Sequence, residues 1–441
     1  MPELAPFRGL LFDPSKVALG KALAPPVAVI DAPTRARLLQ AEPHNVARLI
    51  TAEADGDRQA AVKLLGEWQA SGALVRDPSR AIYRLVETMP AGPAGGRPPV
   101  RRGVIAAVRL ESGGDSRMGL SERVVAAQVD ERLATLRATA LQVEPAVATY
   151  VDAAGEVERL LRQAESRPAA IDVTTADGVR HQVWRIADAE LIGKVRRAMM
   201  AKKLLLADGH HAYAAMVGYR DALAAKVGGS GLVQYSSAQY GLMLLCASTD
   251  EGLQLRPIHR LLHGLTGFDR KTFLARAAEF FTVEPVKGGG KDAAAIQLAL
   301  ETTHAHLPAI VVALPGEADA WRLTLDPHTD PRNHGVVGHP SVARLDVNLL
   351  HGLVLDHILG LGAAAQDAGH HLRYVGDTAA ALAGLAAAGT QAAFFLGAPK
   401  LETLRHVVEV GELLPPWSTR AFPELAAGMV MAAIDPDVDL M

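Results

Sequence analysis

Cysteine is nearly absent from this 441-residue chain: Cys246 stands alone, so no intramolecular disulfide can form. It lies in the apolar run from Gly241 to Cys246, where a thiol is a small core residue rather than a nucleophile. Aromatic residues are scarce at 5%, and alanine supplies much of the 49% hydrophobic share, which favours closely packed helices. Charge of one sign is missing too. A net charge of −3 and a pI near 6.6 leave no electrostatic footprint for nucleic acid, and clustered Lys/Arg on a recognition helix is not evident. No apolar run approaches the roughly 20 residues needed to cross a bilayer, and residues 1–16 carry Pro, Arg and Asp without a signal-peptide core. The expectation is a cytoplasmic protein with neither membrane nor nucleic acid as partner.

The patterning that is present reads as mixed α/β (α+β). At 46.6 kDa the chain exceeds one ordinary core, and three segments are expected, over 1–99, 100–250 and 251–441. Residues 27–30 after Pro25 and Pro26 read as a strand, 34–40 and 57–72 as helices, and 81–87 as a strand. The Pro- and Gly-dense stretch 89–99 is a hairpin tip or a linker. Strands follow at 103–110 and 146–151, with helices over 130–141 and 188–201. A short apolar strand over 203–207 stops at Asp208 and Gly209, and a helix runs over 211–225 to the breakers Gly228 and Gly229. Strands are expected at 309–313, 320–325, 391–396 and 428–433, and helices at 347–360, 377–388 and 400–408.

The junction of Asp208, Gly209, His210 and His211 carries the strongest chemical signal. A buried strand ends, glycine permits a tight turn, and a helix starts at once. The first amides of a helix lack internal partners and carry partial positive charge, so they attract an anion without any lysine. Asp208 there would hold a divalent cation or orient a substrate amine, while the two histidines would donate to phosphate oxygens. On spacing alone, an ordinary Asp-Gly turn with Asp208 capping the helix explains the same residues.

The ordered motifs say more. Pro6-Phe-Arg-Gly-Leu10, Ala24-Pro-Pro26, Asn45-Val-Ala-Arg-Leu-Ile50, Arg102-Gly103, Ser121-Glu122, Ala207-Asp-Gly-His-His211 with Tyr213, Tyr219-Arg-Asp221, Pro257-Ile-His-Arg260, Leu345-Asp-Val347 and Leu414-Pro-Pro416 with Ser418 and Thr419 occur in sequence. Together they resemble the family catalogued as domain of unknown function 1015, over nearly the full length. The glutamate motif and the Asp-Gly-His-His motif also resemble the ParB/sulfiredoxin-like fold, in which ParB proteins bind nucleotides and ParB-like free serine kinases transfer a phosphoryl group. The resemblance implies a ParB-like central domain with flanking N- and C-terminal α/β segments. It places Glu122 as general base and Asp208 as a catalytic and metal-binding residue. Gly209, His210, His211 and Tyr213 would bind ATP or another nucleotide with Mg²⁺. Its implied substrate is a small polar metabolite such as an amino acid, contacted by His259, Arg260, Ser418 and Thr419.

Three positions depart from the family pattern. Ala212 stands where arginine usually follows the histidine pair, Ser121 where histidine precedes the glutamate, and Trp417 where lysine follows Pro-Pro. Loss of the arginine removes a bidentate phosphate fork. Arg220, two helical turns further on, is too distant to replace it. The alternative these changes raise is a degenerate ligand-binding or regulatory protein of the same fold. Elsewhere, Glu122 reads equally well as a solvated loop carboxylate paired with Arg123, and His259 and Arg260 follow Pro257 in a turn-like setting. Ser418 and Thr419 also suit turn capping. His334, His339 and His351 lack metal spacing, His370 and His371 read as a surface turn, and the run Gly288 to Lys291 lacks a full P-loop pattern.

Overall fold

The computed structural model describes residues 3–52, 55–92, 96–111, 116–227, 232–302 and 307–441. The chain gathers into two compact units. The first comprises Met1–Leu120, Val124–Gln254 and Ala421–Met441; the second comprises Ser121–Arg123 and Leu255–Arg420.

The first unit is built on a nine-stranded mixed sheet, in the order Met118–Gly119, Leu204–Asp208, Ala146–Tyr150, Tyr240–Ala247, Val100–Arg109, Ile82–Thr88, Arg180–Ile186 and Ile171–Thr174, with Leu4–Ala5 also pairing Val100–Arg109. Central strands are apolar on both faces: Val104, Ala106, Met243 and Leu245 are buried on one and Ile105, Ala107, Leu242 and Leu244 on the other. Ile82–Thr88 and Val100–Arg109 pair as an antiparallel hairpin, Tyr83 opposite Ile105 and Thr88 opposite Val100. Cys246 is buried on Tyr240–Ala247, its thiol pushed up to about 12 by burial, which suits the core residue expected.

The second unit carries an antiparallel six-stranded sheet, in the order Phe281–Val286, Ala320–Leu325, Ala309–Ala313, Thr390–Phe395, His259–His263 and Leu372–Val375. Aspartate caps start the helices Arg270–Ala277, Ala293–Glu301 and Thr378–Leu385. Asp269 accepts from the Thr272 amide at 2.8 Å, Asp292 from Ala294 at 2.9 Å and Asp377 from Ala380 at 2.8 Å.

Several elements differ from the patterning. Residues 27–29 form a 3-10 turn instead of a strand; the run is half-buried to exposed, and the Val27 amide goes to the Glu144 carboxylate at 2.6 Å instead of to a sheet. His259 and Arg260 sit inside a buried strand, not a turn, paired on both sides. The expected helix over 347–360 is a short α-turn at Asp346–Asn348 followed by π-type winding over Leu349–Ile358. Of the expected final strand, Ala432–Ala433 pairs with Leu141–Gln142, and Met431 makes a single antiparallel bridge to Leu10. Gly228 and Gly229 lie outside the described residues. No helix among the described residues is long and apolar enough to cross a membrane.

Candidate functional site

In the first unit the junction forms as the residues suggest. Leu204, Leu205, Leu206 and Ala207 are buried, and the register against Ala146–Tyr150 shifts between Leu206 and Asp208. That irregularity turns the strand end as the chain leaves the sheet. Gly209 has φ +85°, a conformation side chains rarely adopt, and a Cβ there would stand 3.1 Å from the Ala146 backbone. The helix His210–Val227 begins at the next residue, its first turn closed by the Tyr213 amide on the Gly209 carbonyl at 2.9 Å.

Asp208 is held by backbone. Its Oδ1 accepts from the Gly209 amide at 2.6 Å and its Oδ2 from the Ala421 amide at 3.0 Å. These two bonds tie the carboxylate to the turn it opens and to the chain at Ala421. Among the described residues no group of three or more His, Cys, Asp or Glu is arranged to hold a metal ion. His210 is buried and neutral, its pKa pushed down to about 3 by burial and then by His211. His211 is brought to about 4 by burial and then by the Arg132 charge, and its Nε2 accepts the Val125 amide at 3.0 Å. That bond fixes the tautomer with the proton on Nδ1. Both imidazoles are therefore neutral, not cations. The Tyr213 hydroxyl donates to the Glu111 carbonyl at 2.8 Å and accepts from the Glu111 amide at 3.1 Å, so it straps the helix to a loop. Arg220 donates to Asp221 and to the Leu110 carbonyl.

Glu122 belongs to the second unit, where a different kind of cluster forms. Ser121–Arg123 lies against Leu414: the Leu414 amide donates to the Ser121 carbonyl at 2.8 Å and the Arg123 amide to the Leu414 carbonyl at 2.9 Å. Glu122 is only 5% exposed, and its Oε1 accepts the Thr419 hydroxyl. A solvated carboxylate is thus excluded, and Arg123 pairs with Asp367 at 3.7 Å. Ser418 turns inward, its hydroxyl donating to the Pro415 carbonyl at 2.6 Å.

Arg260 is fully buried. It donates to His351 Nε2 at 3.2 Å, the Ile258 carbonyl, the Trp417 carbonyl at 3.0 Å and the Pro416 carbonyl at 3.4 Å, and lies 5.3 Å over the Tyr374 ring. His351 passes the chain on, its Nδ1 meeting Gln366 Oε1 at 2.6 Å. His259 meets the Thr378 hydroxyl through Nε2 at 3.0 Å and accepts the Leu396 amide through Nδ1. Burial is the main cause that lowers His259 to about 4 and His351 to about 3. Spacing does not reveal His351, Tyr374 and Gln366 as members of this cluster, because π-type winding and sheet pairing bring them in. Asp346, whose carboxylate accepts the Val347 and Gly397 amides, had a signal in the Leu345-Asp-Val347 motif.

The sequence profile of the family described as "Protein of unknown function (DUF1015)" matches residues 4–348, and with them the Glu122 and 208–211 motifs. The chain belongs to this family. No curated protein matches it. Among solved structures, a conserved hypothetical protein from Pyrococcus furiosus is 14% identical, with 74% of this chain and 94% of that chain covered and a TM-score of 0.36. A free serine kinase in complex with AMP is 13% identical, covering 73% of this chain and 89% of its own, with a TM-score of 0.35. SbnI with a C-terminal truncation, from Staphylococcus aureus, is 10% identical over 72% and 82%, with a TM-score of 0.33. At these identities and scores the likenesses carry no functional assignment for this family member.

Proposed function

We propose that this protein is a nucleotide-dependent phosphotransferase-like enzyme acting on a small polar metabolite such as an amino acid. The observation that supports the reading is the junction at residues 208–211. A buried strand ends at a glycine with φ +85°, and an 18-residue helix starts at once with two neutral imidazoles in its first turn. Helix N-termini favour phosphate through their amides and dipole, and neutral N–H donors add hydrogen bonds. Mg²⁺, with Asp208 as its protein carboxylate, would supply charge neutralisation at the phosphate oxygens. Gly209 shapes the turn, and Tyr213 holds the helix in place through the Glu111 backbone. Glu122 is assigned proton acceptance from the metabolite hydroxyl, a role whose contribution is on the order of 100- to 10,000-fold when the base is well placed. Thr419 orients that carboxylate.

Titration calorimetry of the full chain with ATP, ADP and CTP, each with Mg²⁺, tests the reading. Heat is expected for at least one nucleotide. No heat for any of them at millimolar concentration discards it.

A second reading rests on three residues. Ala212, Ser121 and Trp417 replace cationic or protonatable groups of the family pattern, as a ligand-binding or regulatory protein that has shed catalysis would show. The variant Ala212→Arg separates the two. A large gain in nucleotide affinity or turnover favours a decayed enzyme, and no gain favours another ligand.

A further inference from the structure

Arg260 has a burial that its ligands must justify. A guanidinium removed from water is tolerated only where its donors are satisfied and negative charge lies near. Its donors end on neutral acceptors: His351 Nε2 and the carbonyls of Ile258, Pro416 and Trp417. Burial lowers its proton affinity, opposed by Tyr374, Glu122 and Asp346. The negative charges that keep this guanidinium in place therefore include the carboxylate assigned as base.

The same side chain shapes the loop that touches that carboxylate. Trp417 takes φ +60°, a left-handed conformation that is costly for a bulky residue and persists only where the surroundings impose it. The surroundings are on hand. Arg260 grips the Pro416 and Trp417 carbonyls, one on each side of the Trp417 α-carbon, and the Trp417 indole lies 6.1 Å from the Tyr374 ring, which itself underlies the guanidinium. Two residues later Thr419 donates to Glu122. With no exposed surface, Arg260 is poorly placed to touch a metabolite.

We infer that Arg260 is the positioning residue for Glu122: its buried charge holds the carboxylate ionised, and its grip on the loop carbonyls aims the Thr419 hydroxyl at that carboxylate. The inference rests on the reading of Glu122 as the proton acceptor. The other charged or titratable groups around the guanidinium are Asp346, His259, His351, Tyr374, and Arg123 with its partner Asp367. His351 stays neutral above about pH 4, and burial raises the Asp346 carboxyl against the Val347 and Gly397 amides and the Arg260 charge.

The test uses the full chain labelled with carboxyl-¹³C glutamate, the Glu122 resonance being the one lost in Glu122→Gln. In Arg260→Gln its titration midpoint rises by at least one pH unit, a tenfold change in proton affinity. In Arg260→Lys the charge is retained and most of the shift is rescued, while amide exchange at 417–419 accelerates because an ammonium cannot span both carbonyls. An unmoved midpoint in a folded Arg260→Gln protein overturns the inference. Should that variant fail to fold, unchanged exchange at 417–419 in Arg260→Lys overturns it equally. Calorimetry of the wild type with ATP and Mg²⁺ is run alongside. A lack of heat there removes the nucleotide reading and leaves the titration result standing by itself.

Discussion

The junction at 208–211 and the cluster around Glu122 are opposite ways of building a polar site. The first is contiguous: four successive residues supply the turn, the carboxylate and both imidazoles, and their local geometry follows from glycine and the start of a helix. The second is assembled. Glu122, Arg260, His351, Tyr374 and Thr419 come from five separate stretches, and strand pairing, π-type winding and a strained loop hold them together. A contiguous site tolerates change elsewhere as long as its turn survives. An assembled site answers to residues that never touch the ligand.

The largest test of that contrast is Glu122→Gln. Turnover is expected to fall by about 100- to 10,000-fold, with nucleotide affinity changed less than about threefold. Steady-state kinetics with calorimetry of the same variant check this, and equal loss of both quantities would erase the division of labour. Next comes Asp208→Asn. It keeps the shape but removes the charge that takes the two amides and, in the proposed reading, Mg²⁺; Mg²⁺-dependent nucleotide affinity is then expected to drop by about 10- to 100-fold, on the scale of a lost charge-assisted contact. Titrations with and without Mg²⁺ read it, and equal losses in both would remove the metal role.

Gly209→Ala sharpens the contiguous side. A Cβ at φ +85° and 3.1 Å from the Ala146 backbone costs about 1–3 kcal/mol of stability, read as a lower denaturation midpoint. A fourth expectation covers both sites. His210, His211, His259 and His351 are buried neutral, with pKa values near 3, 4, 4 and 3. These lie below the unfolded value near 6.5, so the unfolded chain binds more protons in acid. The stability this represents is complete above about pH 6.5 and is lost as pH falls toward 4. Each histidine contributes on the order of 1 kcal/mol per pH unit in that window. Denaturant titrations at pH 7.5, 6.5 and 5.5 measure it, and His211→Gln should flatten the slope. Smallest is Thr419→Val, which removes one hydrogen bond to Glu122 at about 1 kcal/mol, seen as a several-fold fall in turnover.

Legibility in the sequence followed the same contrast. The run Leu204 to Ala207 with Asp208 and Gly209 announces a strand ending in a turn, and the expected helices that begin at Asp188 and Asp377 start on aspartate caps whose signal is local. The strand Arg180–Ile186 was not read, since His181, Gln182 and Arg185 look polar. It pairs along seven residues with Ile82–Thr88, and buried His181 meets buried Glu87, which in turn binds Arg101. Residues 27–30 failed the other way: β-branched residues make a strand only where a partner strand accepts them. Pro257 suggested a turn, yet His259 and Arg260 are fixed by neighbours at 372–375 and 390–395.

By itself the sequence determined the mixed α/β class, the family, and the strand–turn–helix at 208–211, because period, glycine and caps act over a few residues. Tertiary structure alone decided which charges are buried, which histidines stay neutral, and that Arg260 bonds to His351 and backbone carbonyls and not to solvent. Burial and electrostatic pairing are properties of distances between stretches far apart in the chain, and those distances exist only after the sheets close.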